Sequence, residues 1–424
     1  MDTDIIMSYQ DVLAQIKGKE NHLLLANGFN SSLGVGTSYK DIFKKMIELN
    51  PGLYNEATSL IVECGWDLEK FLGELGKAIK PRNTFLEKYV QSKVKIDFME
   101  AAHQIVKSKI KGIYAEKNEG IFLLLQNFCN YFTLNYDSFL YLLLMHYKPT
   151  ENLDQDTIAF QSSLPFMARE LNLRENNIYE EIKKAREEGV LRMSFGADEV
   201  PLESDLNKLT KTNFTASVNL YNKENKKGWK VKEINRVVSL ILEDENKIAG
   251  TLERVDDGSR QQTLFGPTPT PELVFEEQLT QNLFFLHGAF HIYKDRNFIK
   301  KITQQTDKAL YDKIEEVIST EGSDIVCVFQ SENKKEAIND NEYLKRCYDK
   351  LKELSGNMVI IGSSLDDNDD HIFTQINKSS LSTIYISVFD TDIKKLEEFS
   401  AKAKRKFSDK RVLLFDAKTI SYDT

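Results

Sequence analysis

The chain has 424 residues, 41% of them hydrophobic, with 56 basic and 65 acidic side chains and a net charge of −9. That length favours two or three domains, and the apolar fraction excludes a mainly disordered chain. The acidic balance excludes a general nucleic-acid coat, which needs a basic surface. Taken in chain order, short apolar runs end abruptly in small or polar residues. They are Leu23–Leu25, Tyr131–Leu134, Phe284–Leu286, Ile325–Phe329, Met358–Ile361, Ile384–Phe389 and Val412–Phe415. Most lack period-two alternation, as do strands buried on both faces of a parallel sheet. Helical stretches separate several of them: Asp41–Leu49, Ser138–Tyr147 and Asn341–Leu354. Alternating strands and helices predict an α/β fold, a Rossmann-like, doubly wound, mostly parallel sheet. Buried helix segments would show the same short runs, and periodicity does not separate the two.

A stretch of different character lies between the second and third runs. It is rich in Asn, Glu and Lys, with a helical pattern at Asn177–Glu188. The very polar part from Leu206 to Arg260 reads as a β-containing excursion or a mobile insert. It leads to the breaker cluster Gly266-Pro267-Thr268-Pro269-Thr270-Pro271. The expected division is a first half of the core over 1–150, a helical, polar insertion over 151–270, and a second half over 271–424.

The longest apolar run, Phe139 to Met145, is far shorter than the roughly 20 residues that span a bilayer. Met1–Gln10 carries Asp2 and Asp4 and lacks a basic start followed by an apolar core, so no signal peptide is visible. Cys64, Cys129, Cys327 and Cys347 form no close pair, which excludes a CxxC zinc ribbon and suggests no disulfide framework. The chain reads as cytoplasmic, with no metal expected.

Polar residues follow the apolar runs. After the first come Asn27, Gly28, Phe29 and Asn30, continuing to Gly36. After the second come Asn135, Tyr136 and Asp137, and after the third His287 and Gly288. Gly362, Ser363, Ser364 and Leu365 follow the fifth, leading into the acidic run Asp366–Asp370 and His371. Ligands of open α/β sheets bind at the carboxyl ends of strands, near the topological switch point, so these segments should converge. The loop at Gly28 precedes a helix, where backbone amides can cradle a pyrophosphate; a plain tight turn uses the same residues. Asp137 also suits a helix cap ahead of Phe139–Met145, a role that Asn135 does not fill. His287 suits either a base or a satisfied core histidine. Gly288 breaks any helical pairing of His287 with His291, which argues against a metal pair. The acidic run, and the basic runs Lys226–Lys232 and Lys402–Lys406, read most simply as solvated faces. No G-x-S-x-G elbow is present.

Together these residues resemble the sirtuin-like NAD-binding fold, specifically its zinc-free branch among bacterial NAD hydrolases of antiphage defence. The family's Gly-Ala-Gly-x-Ser loop is matched in part by Ala26-Asn27-Gly28-Phe29-Asn30, and its Thr-Gln-Asn-x-Asp segment by Thr133-Leu134-Asn135-Tyr136-Asp137. Its catalytic His-Gly is matched by His287-Gly288 and its Gly-Thr-Ser-Leu by Gly362-Ser363-Ser364-Leu365. Phe329-Gln330-Ser331-Glu332, Tyr343-Leu344 and the stretch Gly362–His371 resemble a further bacterial branch of that superfamily. The paired cysteines of the zinc-binding deacetylases have no counterpart here.

The resemblance implies an NAD glycohydrolase, with NAD as substrate, that releases nicotinamide and ADP-ribose and depletes cellular NAD in abortive infection. Asn135 would position a water or a ribose hydroxyl and His287 would act as general base. Asp137 would bind the nicotinamide amide or its ribose, Gly28, Phe29 and Asn30 the phosphates, and Ser363 the adenine-side ribose or phosphate. Implied partners are further copies of the chain and a co-encoded ATPase or sensor, with nucleic acid involved only indirectly. Two alternatives stand beside it: a module that senses NAD or ADP-ribose without turnover, and a nucleic-acid-directed defence component using Lys402–Arg411.

Overall fold

The strands follow the apolar runs because a strand covered on both faces needs no polar side. In chain order they are β1 (Asn21–Leu25), β2 (Asn130–Thr133), β3 (Arg192–Phe195), β4 (Asp198–Pro201), β5 (Ser259–Gln261) and β6 (Leu273–Phe275). β7 (Leu283–Phe285), β8 (Gly288–Asp295), β9 (Phe298–Lys301) and β10 (Ser323–Cys327) follow, then β11 (Ser355–Ile361), β12 (Ser380–Val388) and β13 (Arg411–Asp416). The computed structural model describes residues 6–78, 84–147, 173–195, 198–202, 210–245, 255–261, 273–278, 280–302, 310–320, 322–328 and 334–422. By contacts the chain forms two compact units: Met1–Ala159 with Ala249–Thr424, and Phe160–Ile248.

The larger unit is built on a six-stranded sheet in the order β13-β12-β11-β1-β2-β7. Every pairing in it is parallel. The first three of its strands in the chain, β1, β2 and β7, run outward in one direction. The chain then returns to lay β11 against the free side of β1 and continues outward through β12 and β13. That is the 3-2-1-4-5-6 order of dinucleotide-binding sheets, and it sets the switch point between β1 and β11. Leu23, Leu24, Met358, Val359, Ile360, Ile384 and Ile386 are fully buried in its core. The predicted α/β, Rossmann-like fold is what the chain adopts.

One run departs from the expectation. Ile325–Phe329 does not join the parallel sheet; its first three residues lie in β10, in a second, five-stranded sheet ordered β10-β8-β9-β6-β5. The pairings there are antiparallel. The two sheets are chained through the short turn Leu286–His287, where β7 of the first sheet leads into β8 of the second. Gly288 makes that junction possible: its φ is +82°, and a Cβ on it would lie 1.8 Å from the Val326 carbonyl oxygen.

This second sheet buries charge. The ammonium of Lys301 meets the Asp257 carboxylate at 2.5 Å and lies 4.2 Å from the centre of the Tyr141 ring. The carboxylate of Asp257 holds the lysine charged, and the lysine holds that carboxyl well below its usual range against the effect of burial. His291 packs between Tyr141 and Phe285, at ring distances of 5.0 and 4.9 Å. Neither of its ring nitrogens has a hydrogen-bond partner among the described residues.

Helices flank the parallel sheet. The predicted Asp41–Leu49, Ser138–Tyr147 and Asn341–Leu354 correspond to helices Tyr39–Leu49, Phe139–Tyr147 and Glu342–Lys350, the last continued by a 3-10 turn at Leu351–Glu353. Between β1 and β2 the chain also builds the helices Pro51–Glu63, Leu68–Ala78, Thr84–Glu116 and Asn118–Leu125. The smaller unit contains helix Leu173–Glu187, where the Asn177–Glu188 pattern falls, the β3–β4 hairpin, and helices Lys211–Glu224 and Val231–Glu245. Its core gathers Ile178, Ile182, Phe214, Val218, Ile234 and Val238. Much of the polar stretch from Leu206 is therefore helical, because Phe214, Val218, Ile234, Val237 and Ile241 recur at helical spacing. The breaker cluster Gly266–Pro271 lies outside the described residues.

Candidate active site

The carboxyl ends of the central strands are tied into one edge. The amide of Leu134 donates to Leu25, that of Leu286 to Thr133 and that of Ala26 to Ile361, each at 3.0 Å. The polar segments that follow β1, β2, β7 and β11, at Asn27, Asn135, His287 and Gly362, begin at this edge, whereas Phe329–Glu332 lies outside the described residues.

After β1 the chain turns at once into a six-residue helix, Asn27–Ser32. Gly28 is exposed at its start, and its amide donates to the Gly362 carbonyl at 2.9 Å. The Phe29 amide donates to Ala26 at 3.0 Å, and the Phe29 ring is buried against Phe139 and Tyr422. The expectation of a phosphate cradle from these amides therefore needs correction. The close approach of two strand-end turns has already engaged the amides of Gly28 and Phe29. Asn30 points its side chain inward, where it is 1% exposed.

That inward turn builds a polar chain. Asn30 Nδ2 donates to Asp137 Oδ2 at 2.9 Å and to Thr37 Oγ1 at 2.8 Å, and Thr37 Oγ1 donates to Asn27 Oδ1 at 2.9 Å. Asn135 Nδ2 in turn donates to Asn30 Oδ1 at 3.2 Å. A carboxylate can only accept, so Asp137 orients the Asn30 amide, and the Asn30 carbonyl orients Asn135. The Asn135 carbonyl oxygen is left facing no donor among the described residues. Asp137 is also the cap that the sequence allowed: its Oδ1 accepts from the Phe139 amide at 2.9 Å. With both oxygens engaged, it acts within the protein as an orienting group. Burial raises its carboxyl above the usual range, and the hydrogen bonds from the Phe139 amide and Asn30 oppose that rise.

His287 is buried on the neighbouring strand end, 3% exposed. Its Nδ1 lies 3.3 Å from the carbonyl of Leu134, the residue preceding Asn135, and its Nε2 lies 3.2 Å from Nε2 of His371. Asp369 Oδ1 is 3.7 Å from the same Nε2. Burial, reinforced by the Lys334 ammonium, pushes His287 down to about 3, against the effect of Leu134. Burial and the charges of His287 and Lys334 lower His371 to about 3 as well. Both rings are thus neutral at neutral pH. The Lys334 ammonium is 3.3 Å from Glu69, whose side chain is buried and whose carboxyl burial raises.

Thr37, Glu69, Lys334, Asp369 and His371 are the parts of this site that the sequence reading missed. His371 closed the resemblance pattern but carried no role, and Asp369 lay hidden in an acidic run. That run divides: Asp367 and Asp370 pair with Lys406, while Asp369 faces His287. Ser363 is buried, and its Oγ accepts from the Leu365 amide at 3.1 Å, shaping a turn in which Leu365 has a φ of +54°. Three of the six basic residues in Lys402–Arg411 are committed within the protein. Lys402 donates to Ser364, Lys406 is held by the two aspartates, and Lys410 donates to Ser379.

Residues 254–421 match the model of a family described as a domain of unknown function, DUF4917. The match spans less than half of the chain and contains His287, Asp369 and His371 but not Asn30, Asn135 or Asp137. No curated protein matches the chain.

Proposed function

We propose that this protein is an NAD glycohydrolase that splits the nicotinamide–ribose bond and releases nicotinamide and ADP-ribose. The observation carrying this reading is the pairing of an oriented Asn135 with His287 at adjacent carboxyl ends of a sheet in dinucleotide-binding order. Support also comes from the resemblance of four strand-end segments, in order, to sirtuin-like NAD hydrolases.

In this mechanism the Asn135 carbonyl accepts from the attacking water and aims its oxygen at the anomeric carbon. The C–N bond to nicotinamide breaks, and its electron pair leaves with neutral nicotinamide. The water's oxygen forms the new C–O bond, and His287 takes the proton released. Asp137 serves by fixing Asn30 and Asn135 rather than by touching substrate. Exposed Gly28, without a side chain, lets a ligand come close to the start of its helix. The resemblance extends the proposal to depletion of NAD in antiphage defence by a homo-oligomer working with a co-encoded ATPase or sensor.

The test is to incubate the purified protein with NAD and assay nicotinamide and ADP-ribose. Asn135→Ala and His287→Ala should each lower release by about 10²–10⁴-fold. The double variant should be little worse than either, as for residues working as a unit. A second reading, ligand sensing without turnover, is favoured by the low basicity of both histidines. Tight NAD binding with no nicotinamide release would select it.

A further inference from the structure

We propose that His287 and His371 work as one base, sharing a single proton between their Nε2 atoms while Asp369 balances its charge. The inference rests on the reading of His287 as the proton acceptor and makes His371 a positioning residue for it. The argument is one of hydrogen-bond supply. The Leu134 carbonyl faces His287 Nδ1, and the Asn368 backbone favours a proton on the His371 ring, whose Nε2 faces His287. Carbonyls only accept, so each ring spends its one neutral-state proton on the backbone. Two lone pairs then meet across 3.2 Å, a contact that becomes a hydrogen bond when one added proton enters it.

The surroundings favour one added proton and oppose a second. Asp369 Oδ1 lies 3.7 Å from His287 Nε2 and supplies the counter-charge. Lys334 opposes positive charge on both rings, and Glu69 beside it offsets part of that effect. Burial, with Asp366 and Asp370 adding to it, raises the Asp369 carboxyl, while positive charge on Lys334 and His371 opposes that rise and favours the carboxylate. The uncharged rings of Tyr136 and Tyr348 close the two sides, 6.0 Å from His287 and 6.3 Å from His371. Tyr348 also anchors the relay, its hydroxyl donating to the His371 carbonyl at 3.1 Å. His287 is buried, whereas His371 is partly open to solvent, so a proton taken inside has a way out. In hydrolysis the O–H bond of the attacking water breaks, its proton enters the shared position, and His371 passes it on to solvent.

The experiment is a pH titration of the full chain with ¹⁵N-labelled histidine rings, which needs no NAD. There are six histidines, so single substitutions assign the signals. The expected result is a joint response of His287 and His371 Nε2 signals to one proton. His371→Leu should lower the proton affinity of His287 by about tenfold or more, one pKa unit. Asp369→Asn should lower it in the same direction, and His371→Gln, which keeps an amide at that position, checks that folding is not the cause. Independent titration of the two rings would overturn the proposal, as would a His287 signal indifferent to His371→Leu. A joint response that needs added divalent metal and vanishes with chelator would overturn it too. Failure of wild-type protein to release nicotinamide would sink the hydrolase reading while leaving this coupling intact.

Discussion

The amide of Gly28 donates to the carbonyl of Gly362, and a Cβ built on Gly28 would lie only 2.6 Å from the Gly362 Cα. Two turns that follow adjacent strands thus touch backbone to backbone at the switch point. Gly362 has a φ of +78°, and a Cβ on it would lie 2.2 Å from the Phe29 nitrogen. Alanine at either position should destabilise the fold by about 2 kcal/mol or more, by steric displacement at Gly28 and by added backbone strain at Gly362. Urea unfolding measures this. A Gly28→Ala protein as stable as wild type would show that the turns separate at little cost.

Asp137→Asn tests the orienting chain. The new amide would face Asn30 with a donor or force Asn30 to turn round, leaving Asn135 without its acceptor. We expect a loss of about 1–3 kcal/mol in stability and a larger loss of nicotinamide release than the cap alone explains. Thr37→Val, which removes a hydroxyl but no carboxylate, should be milder. Equal activity of Asp137→Asn and wild type would mean that the Asn135 orientation is set elsewhere.

The buried pair Asp257–Lys301 should respond asymmetrically. Lys301→Met leaves a buried carboxylate uncompensated and should cost about 3–5 kcal/mol. Combining it with Asp257→Leu should recover most of that loss. The double-variant cycle, read by chemical unfolding, decides whether the pair is coupled.

Acid should weaken the fold through the histidines. Burial holds His291 at about 3 when folded, with Lys301 adding to the effect, whereas an unfolded histidine titrates near 6.5. Between those values the unfolded chain binds more protons, so stability is full above about 6.5 and falls as pH drops toward about 3. His291→Phe removes two unpartnered nitrogens from between Tyr141 and Phe285. It should flatten that pH dependence and raise stability at pH 5. A steeper acid loss in this variant would contradict the assignment.

The parallel sheet was legible because its strands are covered on both faces, so Leu23–Leu25 and Met358–Ile361 read as unbroken apolar runs. Ile325–Phe329 has the same composition, yet it begins within an edge strand of the antiparallel sheet, and composition does not encode which sheet a strand joins. His287 and Asn135 stood out because each directly follows such a run. Asp369 did not, since only folding decides that Asp367 and Asp370 turn to Lys406 and Asp369 turns inward. The Lys334–Glu69 pair joins helices far apart in the chain, and no local pattern announces it.

The order of the sheet has a consequence for synthesis. β1 leaves the ribosome before the other strands of its sheet, but its neighbour β11 lies more than 300 residues downstream: Asn357 Nδ2 meets Asn21 Oδ1 across 336 positions. At roughly 5–20 residues per second, β11 is made about 17–70 s after β1. Through that interval one edge of β1, with its three leucines, has no permanent neighbour. Nascent chains halted before residue 355 should therefore present a sticky strand and recruit chaperones, whereas chains extended past β13 should release them.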